Sequence, residues 1–215
     1  MITAADSDRF DELAEEILGE HPNHFPVLIA KLHRLDQIHN RKGQLSAVVA
    51  AADAVIAQID VEQLVSHYGS RVNWDDPAAL LLRTKLDAKR EVLADTLYRK
   101  GRALGYMELP DVIARHPIAD PKAHDKAFEE NFAKLRLWVD TTDRKYVLLH
   151  IRCERRKGCY GKALKLLNRF IPTSAPNYWY IKKRRDVYES LGWKHLAEYE
   201  SRSLMISFQK DYEPF

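Results

Sequence analysis

The stretch Asp75-Asp76-Pro77-Ala78-Ala79-Leu80-Leu81-Leu82, continued through Leu86, Leu93 and Leu97 to Leu104, decides the fold class. An aspartate pair before a proline reads as a helix start. The Asp side chain accepts an orphan N–H of the first turn, and a proline there gives up only an N–H that has no intrahelical partner. Beyond it, Leu82, Leu86, Leu93, Leu97 and Leu104 recur at helical steps and hold one stripe for about seven turns. Lys85, Asp87, Lys89, Arg90, Glu91 and Asp95 put charge on the opposite face. A helix of this length suits one arm of a helical hairpin or a solenoid repeat. Gly101 and Gly105 weaken its final turns.

The helical period continues on the N-terminal side. Ser7 is placed to cap a first helix with Phe10, Leu13, Ile17 and Leu18 as its stripe. Pro22 and Pro26 mark a break, after which Leu28, Ile29, Leu32, Leu35 and Ile38 recur at three- and four-residue steps. Asn40 to Gly43 reads as a turn. The alanine-rich segment from Leu45 to Ile59 predicts a third helix that a neighbour can approach closely, and Val61 to Tyr68 a short fourth one ending at Gly69.

On the C-terminal side, Pro110, Pro117 and Pro121 mark residues 108–121 as a loop and a domain boundary. A helix is expected over Lys122 to Val139, with Phe128, Phe132, Leu135 and Trp138 inward. Asp143 is placed to cap the next helix, carrying Val147, Leu148 and Ile151, which Gly158 breaks. Two further helices, one with Tyr160, Gly161, Ala163, Leu164, Leu167 and Phe170 and one with Trp179, Ile181, Val187, Tyr188 and Leu191, have the look of a tetratricopeptide-like hairpin. Gly161 and Ala163 are the small residues at which the two helices are expected to cross tightly. Tyr212 and Phe215 are expected to dock the tail. The expected organisation is all-α, an irregular α-solenoid of tetratricopeptide-like hairpins: residues 1–107, a loop over 108–121, and a C-terminal unit over 122–215.

Composition excludes several classes. The chain of 215 residues is 46% hydrophobic and 30% charged, with only 8 glycines and 9 prolines, which disfavours a many-turned β-sandwich or barrel. No apolar run reaches the ~20 residues needed to cross a bilayer, and the acidic start has no secretory pattern. Cys153 and Cys159, with no further cysteines, read as reduced thiols. The net charge is only +3, yet it is unevenly spread. Asp6, Asp8, Asp11, Glu12, Glu15, Glu16 and Glu20 make the start acidic. Between Arg144 and Arg185 the bases crowd, with Glu154 the sole acid. Such a block asks for an acidic counterpart.

No catalytic, cofactor or metal-ligating residue is assigned. Serine hydrolysis requires a nucleophile, a base and oxyanion donors, and no Gly-x-Ser-x-Gly or subtilisin-type Gly-Thr-Ser-Met is present. Ser66 and His67 are neighbours in sequence, which builds no base–nucleophile pair. Nine histidines include no His-Glu-x-x-His, and His21 and His24 lack a third ligand at a useful spacing. Gly158 and Gly161 lack the continuation of a phosphate loop. The carboxylate pairs Asp75-Asp76, Glu15-Glu16 and Glu129-Glu130 suit first-turn or surface positions. Tyr160, Phe170, Tyr178, Trp179 and Tyr180 alternate with bases, as in single-strand binders, but they also fall at helical spacing, which suggests core burial.

The order of motifs carries a resemblance. The chain reads Trp138-Val139-Asp140-Thr141-Thr142-Asp143-Arg144-Lys145-Tyr146-Val147, then Tyr160-Gly161-Lys162-Ala163-Leu164-Lys165, Leu191-Gly192-Trp193-Lys194-His195 and Asp211-Tyr212-Glu213-Pro214-Phe215. Upstream lie Lys85-Leu86-Asp87, Leu93-Ala94-Asp95-Thr96-Leu97 and Arg99-Lys100-Gly101-Arg102-Ala103-Leu104. This order resembles the extreme C-terminus of the tripeptidyl-peptidase II family of subtilisin-like serine peptidases. The resemblance implies a helical appendage of a cytoplasmic exopeptidase that removes tripeptides from free N-termini and assembles into strands of stacked dimers. The family's Asp-His-Ser triad lies in another domain, and no triad position maps onto this chain. The implied role is scaffolding: supporting the oligomer or walling the catalytic chamber. Its partners are the rest of the parent chain and its homo-oligomer, with no membrane and no cofactor. Trp138, Tyr160, Gly161, Leu191, Gly192 and Trp193 are expected to matter for architecture. Arg155, Arg156, Lys182 and Arg185 are expected to form a contact face. The competing readings are a free-standing helical-repeat adaptor for an acidic peptide or partner and, behind it, an RNA-associated helical protein.

Overall fold

A computed structural model describes residues 4–42, 45–69, 77–108, 110–170 and 178–208. Among these, eleven helices and no strand occur, so the fold is all-α. The chain forms two compact units, Met1–Asp140 and Thr141–Phe215.

The first unit contains α1 (Ala4–Glu20), α2 (Phe25–Lys42), α3 (Leu45–Ala57), α4 (Val61–Gly69), α5 (Pro77–Tyr106), α6 (Pro110–Arg115) and α7 (Pro121–Leu135). The long helix predicted from the leucine stripe is α5, 30 residues and so about 45 Å long. Its expected Asp75-Asp76 cap lies outside the described residues. Leu86, Leu93, Leu97 and Leu104 are buried as the stripe predicts, whereas Leu82 is 46% exposed. α3 and α7 both pack against α5, α2 packs on α3, and α1 on α2. The alanine-rich α3 buries Val48, Ala52 and Val55 completely, as the close approach of a neighbour requires. On α1, Ala14 is buried among the described residues, and the expected Leu13 is 46% exposed.

Two polar ties fix the packing around α5. Asp36 on α2 is 3% exposed and receives Arg99 and Arg102 of α5, the latter at 2.6 Å. Arg99 is itself held by Asp95 at 2.6 Å, one turn away. On the α7 side, Asn131 Nδ2 donates to the Leu97 carbonyl at 2.8 Å, and His124 Nε2 lies 3.0 Å from the Leu104 carbonyl and 3.1 Å from Glu108 Oε1. Phe128 and Leu135 complete the seam, fully buried.

This seam accounts for a difference from the sequence reading. The compact units meet at 140/141, and the segment expected as a loop over 108–121 contains α6. Pro110 occupies the first position of that helix, where its missing N–H costs nothing. α7 begins at Pro121, capped by Asp120, which accepts the Ala123 N–H at 3.0 Å, and ends at Leu135. Trp138, expected inside that helix, is beyond it and half-buried.

The second unit is a succession of α8 (Arg144–Arg156), α9 (Tyr160–Phe170), α10 (Tyr178–Ser190) and α11 (Lys194–Phe208), each packed on the next. Asp143 caps α8 as predicted, accepting the Lys145 N–H at 2.7 Å. Val147, Ile151, Ala163, Leu167 and Val187 form the core. Gly158 and Gly192 end α8 and α10 with φ of 68° and 71°. At each, paired backbone bonds close the helix: Gly158 N–H to Arg155 and Cys159 N–H to Glu154, then Gly192 N–H to Glu189 and Trp193 N–H to Tyr188. The left-handed glycine recovers two carbonyls that the helix end would otherwise orphan. Trp193 stacks on Tyr188 at 6.0 Å, closing the second turn. Gly161, expected at a tight crossing, is exposed, and a Cβ there would meet nothing within 4 Å. Ala163 is fully buried. The expected docking of Tyr212 and Phe215 lies outside the described residues.

Two predictions follow from these geometries. Replacing Asp36 with Ala leaves two arginines without their buried counter-charge and should cost about 3 kcal/mol in urea unfolding; a loss below about 1 kcal/mol would show that both side chains swing into water instead. Gly192→Ala meets no steric obstacle but must hold a left-handed conformation, and should destabilise by about 1–2 kcal/mol. Gly161→Ala in the helix should be neutral or stabilising by up to about 1 kcal/mol. Thermal melts of the pair test the opposite signs, and equal shifts would contradict the assignment.

Candidate functional site

The basic block of the sequence lies on α8, α9 and α10. On α10, Lys182-Lys183-Arg184-Arg185-Asp186 covers more than one helical turn, so its charges point to several sides. The acid that organises them is Asp186, just past the window that looked almost free of acids. Arg155 Nη1 of α8 approaches Asp186 Oδ2 at 3.6 Å, Lys183 Nζ lies at 3.4 Å, and Arg185 Nη2 lies 3.1 Å from Oδ1. Arg155 Nη2 also donates to the Ser190 hydroxyl at 3.2 Å. A buried acid, Glu200 on α11, is ion-paired with Arg184, whose Nε lies 2.7 Å from its Oε1, and the same arginine donates to Asn168 Oδ1 of α9 at 3.3 Å. Arg155 thus ties α8 to α10, and Arg184 ties α10 to both α11 and α9.

Burial pushes the Asp186 carboxyl up, but Lys183, Arg155 and Arg185 outweigh it and hold the group below the usual carboxylate range. Lys183 moves the other way. Its desolvation, reinforced by Arg152 and Arg155 and opposed by Asp186, pushes the ammonium down to about 8. A buried amine among cations is disfavoured in its charged form, and one carboxylate does not fully offset that.

The four residues expected to form a contact face do not share one exposed surface. Arg185 is 5% exposed and engaged with Asp186 and, at 3.5 Å, Glu189. Arg155 is half-buried in the same network. Arg156 is also half-buried, and Lys182 stands 5.9 Å over the Tyr178 ring. Asp186 and Glu200 are the functional neighbours that a window count of charges misses. Their signal is local: an acid one residue after a basic run, and another on the next helix.

The aromatics that alternate with these bases serve packing where they are described. Tyr180 is 7% exposed, and Tyr178 meets Phe208 edge-on at 5.5 Å. Cys153 and Cys159 are free thiols, one buried and one half-buried. Among the described residues, no group of three or more His, Cys, Asp or Glu side chains could hold a metal. No helix among them is long and apolar enough to cross a membrane. His195, beside Trp193, is exposed.

Known proteins share this sequence along nearly its whole length. It is 31% identical over 218 residues to tripeptidyl-peptidase 2 of Oryza sativa subsp. japonica and 28% identical over 218 residues to that of Arabidopsis thaliana, with 99% of this chain covered in each case. A third alignment, to tripeptidyl-peptidase 2 of Drosophila melanogaster, is 22% identical over 174 residues and covers 81% of the chain. The chain is homologous to a segment of tripeptidyl-peptidase 2. It spans about 16% of the length of the two plant relatives. No family model and no solved structure matches. Two of the motifs that resemble the tripeptidyl-peptidase II family have physical roles in the fold. Leu191-Gly192-Trp193 is the closure of α10, and Asp143 within the Trp138–Val147 stretch is the cap of α8.

Lys183 makes stability depend on pH in a defined window. Below about pH 8 both folded and unfolded chains carry its proton, and burial is a standing cost. Between about 8 and the ordinary value of 10.5 the unfolded chain keeps a proton that the folded chain sheds, so stability rises with pH. The difference in urea unfolding free energy between wild type and Lys183→Met should therefore move in favour of wild type as pH rises through this window. A flat difference would contradict the burial of a charged amine.

Proposed function

We propose that this chain is a non-catalytic helical domain from the C-terminal end of a tripeptidyl-peptidase II-like serine exopeptidase. In this reading the parent removes tripeptides from the free N-termini of oligopeptides in the cytoplasm. The domain supports assembly of the homo-oligomer or walls the chamber that admits substrate. The observation that carries this is the alignment: 99% of the chain matches, yet that match occupies only 16% of each plant relative. The peptidase activity for which those relatives are named then resides in the remaining sequence.

A second observation supports a contact role. α11 leaves Leu196, Tyr199 and Ile206 exposed at 45%, 65% and 80%, at spacings that put them on one face away from buried Ala197 and Leu204. Apolar side chains grouped in this way favour cover by another protein surface. In this proposal the cover is the rest of the parent assembly, and α8–α11 stack as tetratricopeptide-like hairpins against it. Arg156 and Lys182 border the contact, while Arg155 acts by holding α8 to α10 and Arg185 by pairing with Asp186 and Glu189 along α10.

Expression of the parent chain with and without this segment tests the role. The isolated chain should release no tripeptide from a fluorogenic substrate. The truncated parent should sediment as smaller species with reduced activity, and Leu196→Glu with Ile206→Glu in the intact parent should reproduce part of that loss. Full-size, fully active particles from the truncated parent would remove the assembly role, and tripeptide release by the isolated chain would remove the non-catalytic one.

A further inference from the structure

The outward face of α11 has a pattern that matches itself. Leu196, Tyr199, Ser203 and Ile206 follow one another at steps of three, four and three residues, the spacing of a seam between two paired helices. Leu196, Tyr199 and Ile206 are exposed, while Ala197, Glu200 and Leu204 are buried on the opposite side of the helix. Ser203 is the small, half-buried member of the stripe, and its hydroxyl already donates to the Tyr199 carbonyl at 3.0 Å. Covering it therefore strands no donor. Glu198 and Arg202, both exposed and of opposite charge, stand together on one flank of the stripe.

We propose that α11 pairs with α11 of a second copy of this chain, the two helices antiparallel about a two-fold axis. The inference rests on the reading above that this face is a contact surface of the assembly, and it names the surface that covers it. Side-chain size decides the direction. In the antiparallel pair Leu196 meets Ile206 of the second copy and Tyr199 meets its Ser203. Both pairings are centred on residue 201, so a single register satisfies the whole seam. The phenol ring fills the space that the serine leaves. A parallel pair sets Tyr199 on Tyr199 and Ser203 on Ser203, one crowded layer and one gap. Charge agrees with size. A two-fold axis brings the same flank of each helix together. Arg202 lies just past the centre and Glu198 before it, so Arg202 of one copy and Glu198 of the other stand about 3 Å apart along the axis. Two long side chains span that offset, and the symmetry makes the pair twice. The parallel arrangement instead puts like charges side by side.

The test is sedimentation equilibrium of the 215-residue chain. One helix pair is smaller than a standard interface, so a Kd on the order of 0.1 mM is expected, and a sample at about 0.5 mM should be mostly dimer. Glu198→Arg turns both charge pairs into repulsions and should weaken pairing about tenfold or more, and Arg202→Glu should do the same. Mixing the two variants in equal amounts should restore dimers, because one copy then carries two positive side chains on this flank and the other two negative ones. Within a single helix each variant sets like charges four residues apart, so recovery on mixing reports contact between copies and not repair of the helix. Circular dichroism checks that helix content is unchanged in each variant. A monomeric wild type, single variants that pair as well as wild type, or a mixture that stays monomeric would overturn the proposal. If the chain stays monomeric while Leu196→Glu with Ile206→Glu still breaks up the parent particle, another part of the parent covers the face: this inference fails and the assembly reading stands. Dimers of the chain beside full-size particles from the truncated parent would keep the pairing and remove the assembly role.

Discussion

A carboxylate withdrawn from water must be met by cations, and in this chain those cations come largely from neighbouring helices. Asp36 on α2 demands Arg99 and Arg102 of α5. Asp186 on α10 demands Arg155 of α8 as well as its own neighbours, and Glu200 on α11 demands Arg184 of α10. Apolar burial supplies the bulk of the driving force in each unit, but it is indifferent to register. The buried acids are not, because a helix shifted by one turn leaves a charge without its counter-charge. These three sites therefore select one arrangement among several that would bury the same leucines.

The same networks explain why a block dense in Arg and Lys need not be a binding surface. Most of the named bases are structural ties with their heads turned inward or across to the next helix. Among the described residues, Lys162 and Lys165 of α9 are exposed rather than drawn into these networks. Position in the fold, more than the number of bases, decides which of them are ties.

Two of the segments that resemble tripeptidyl-peptidase II are punctuation of the fold. Leu191-Gly192-Trp193 ends α10 through a left-handed glycine and a stacked Trp193–Tyr188 pair. Asp143 opens α8. Such positions restrict residue type severely, since few side chains accept a positive φ or cap a first turn.

The helix-rich fold, the long leucine-striped α5, the cap at Asp143 and the break at Gly158 were legible in the sequence. Each rests on interactions within a few residues, and local spacing reports such interactions faithfully. The division at 140/141 was not legible there. Three prolines suggested a boundary over 108–121, but Asn131 and His124 reach back to carbonyls on α5 and bind α7 to the first unit. Nor could the sequence separate Gly161, exposed beside open space, from Ala163, which is fully buried. The fate of the basic residues was likewise open, since Asp186 draws in Arg155 from 31 positions away. By itself the sequence determined that the chain is mostly helical and where several helices start or stop, because those choices depend on backbone geometry and near neighbours, while α6, the end of α7 and α11 were not read from it. Only the tertiary structure decided which charges face one another and which face water, because that depends on helices distant in the chain meeting in space.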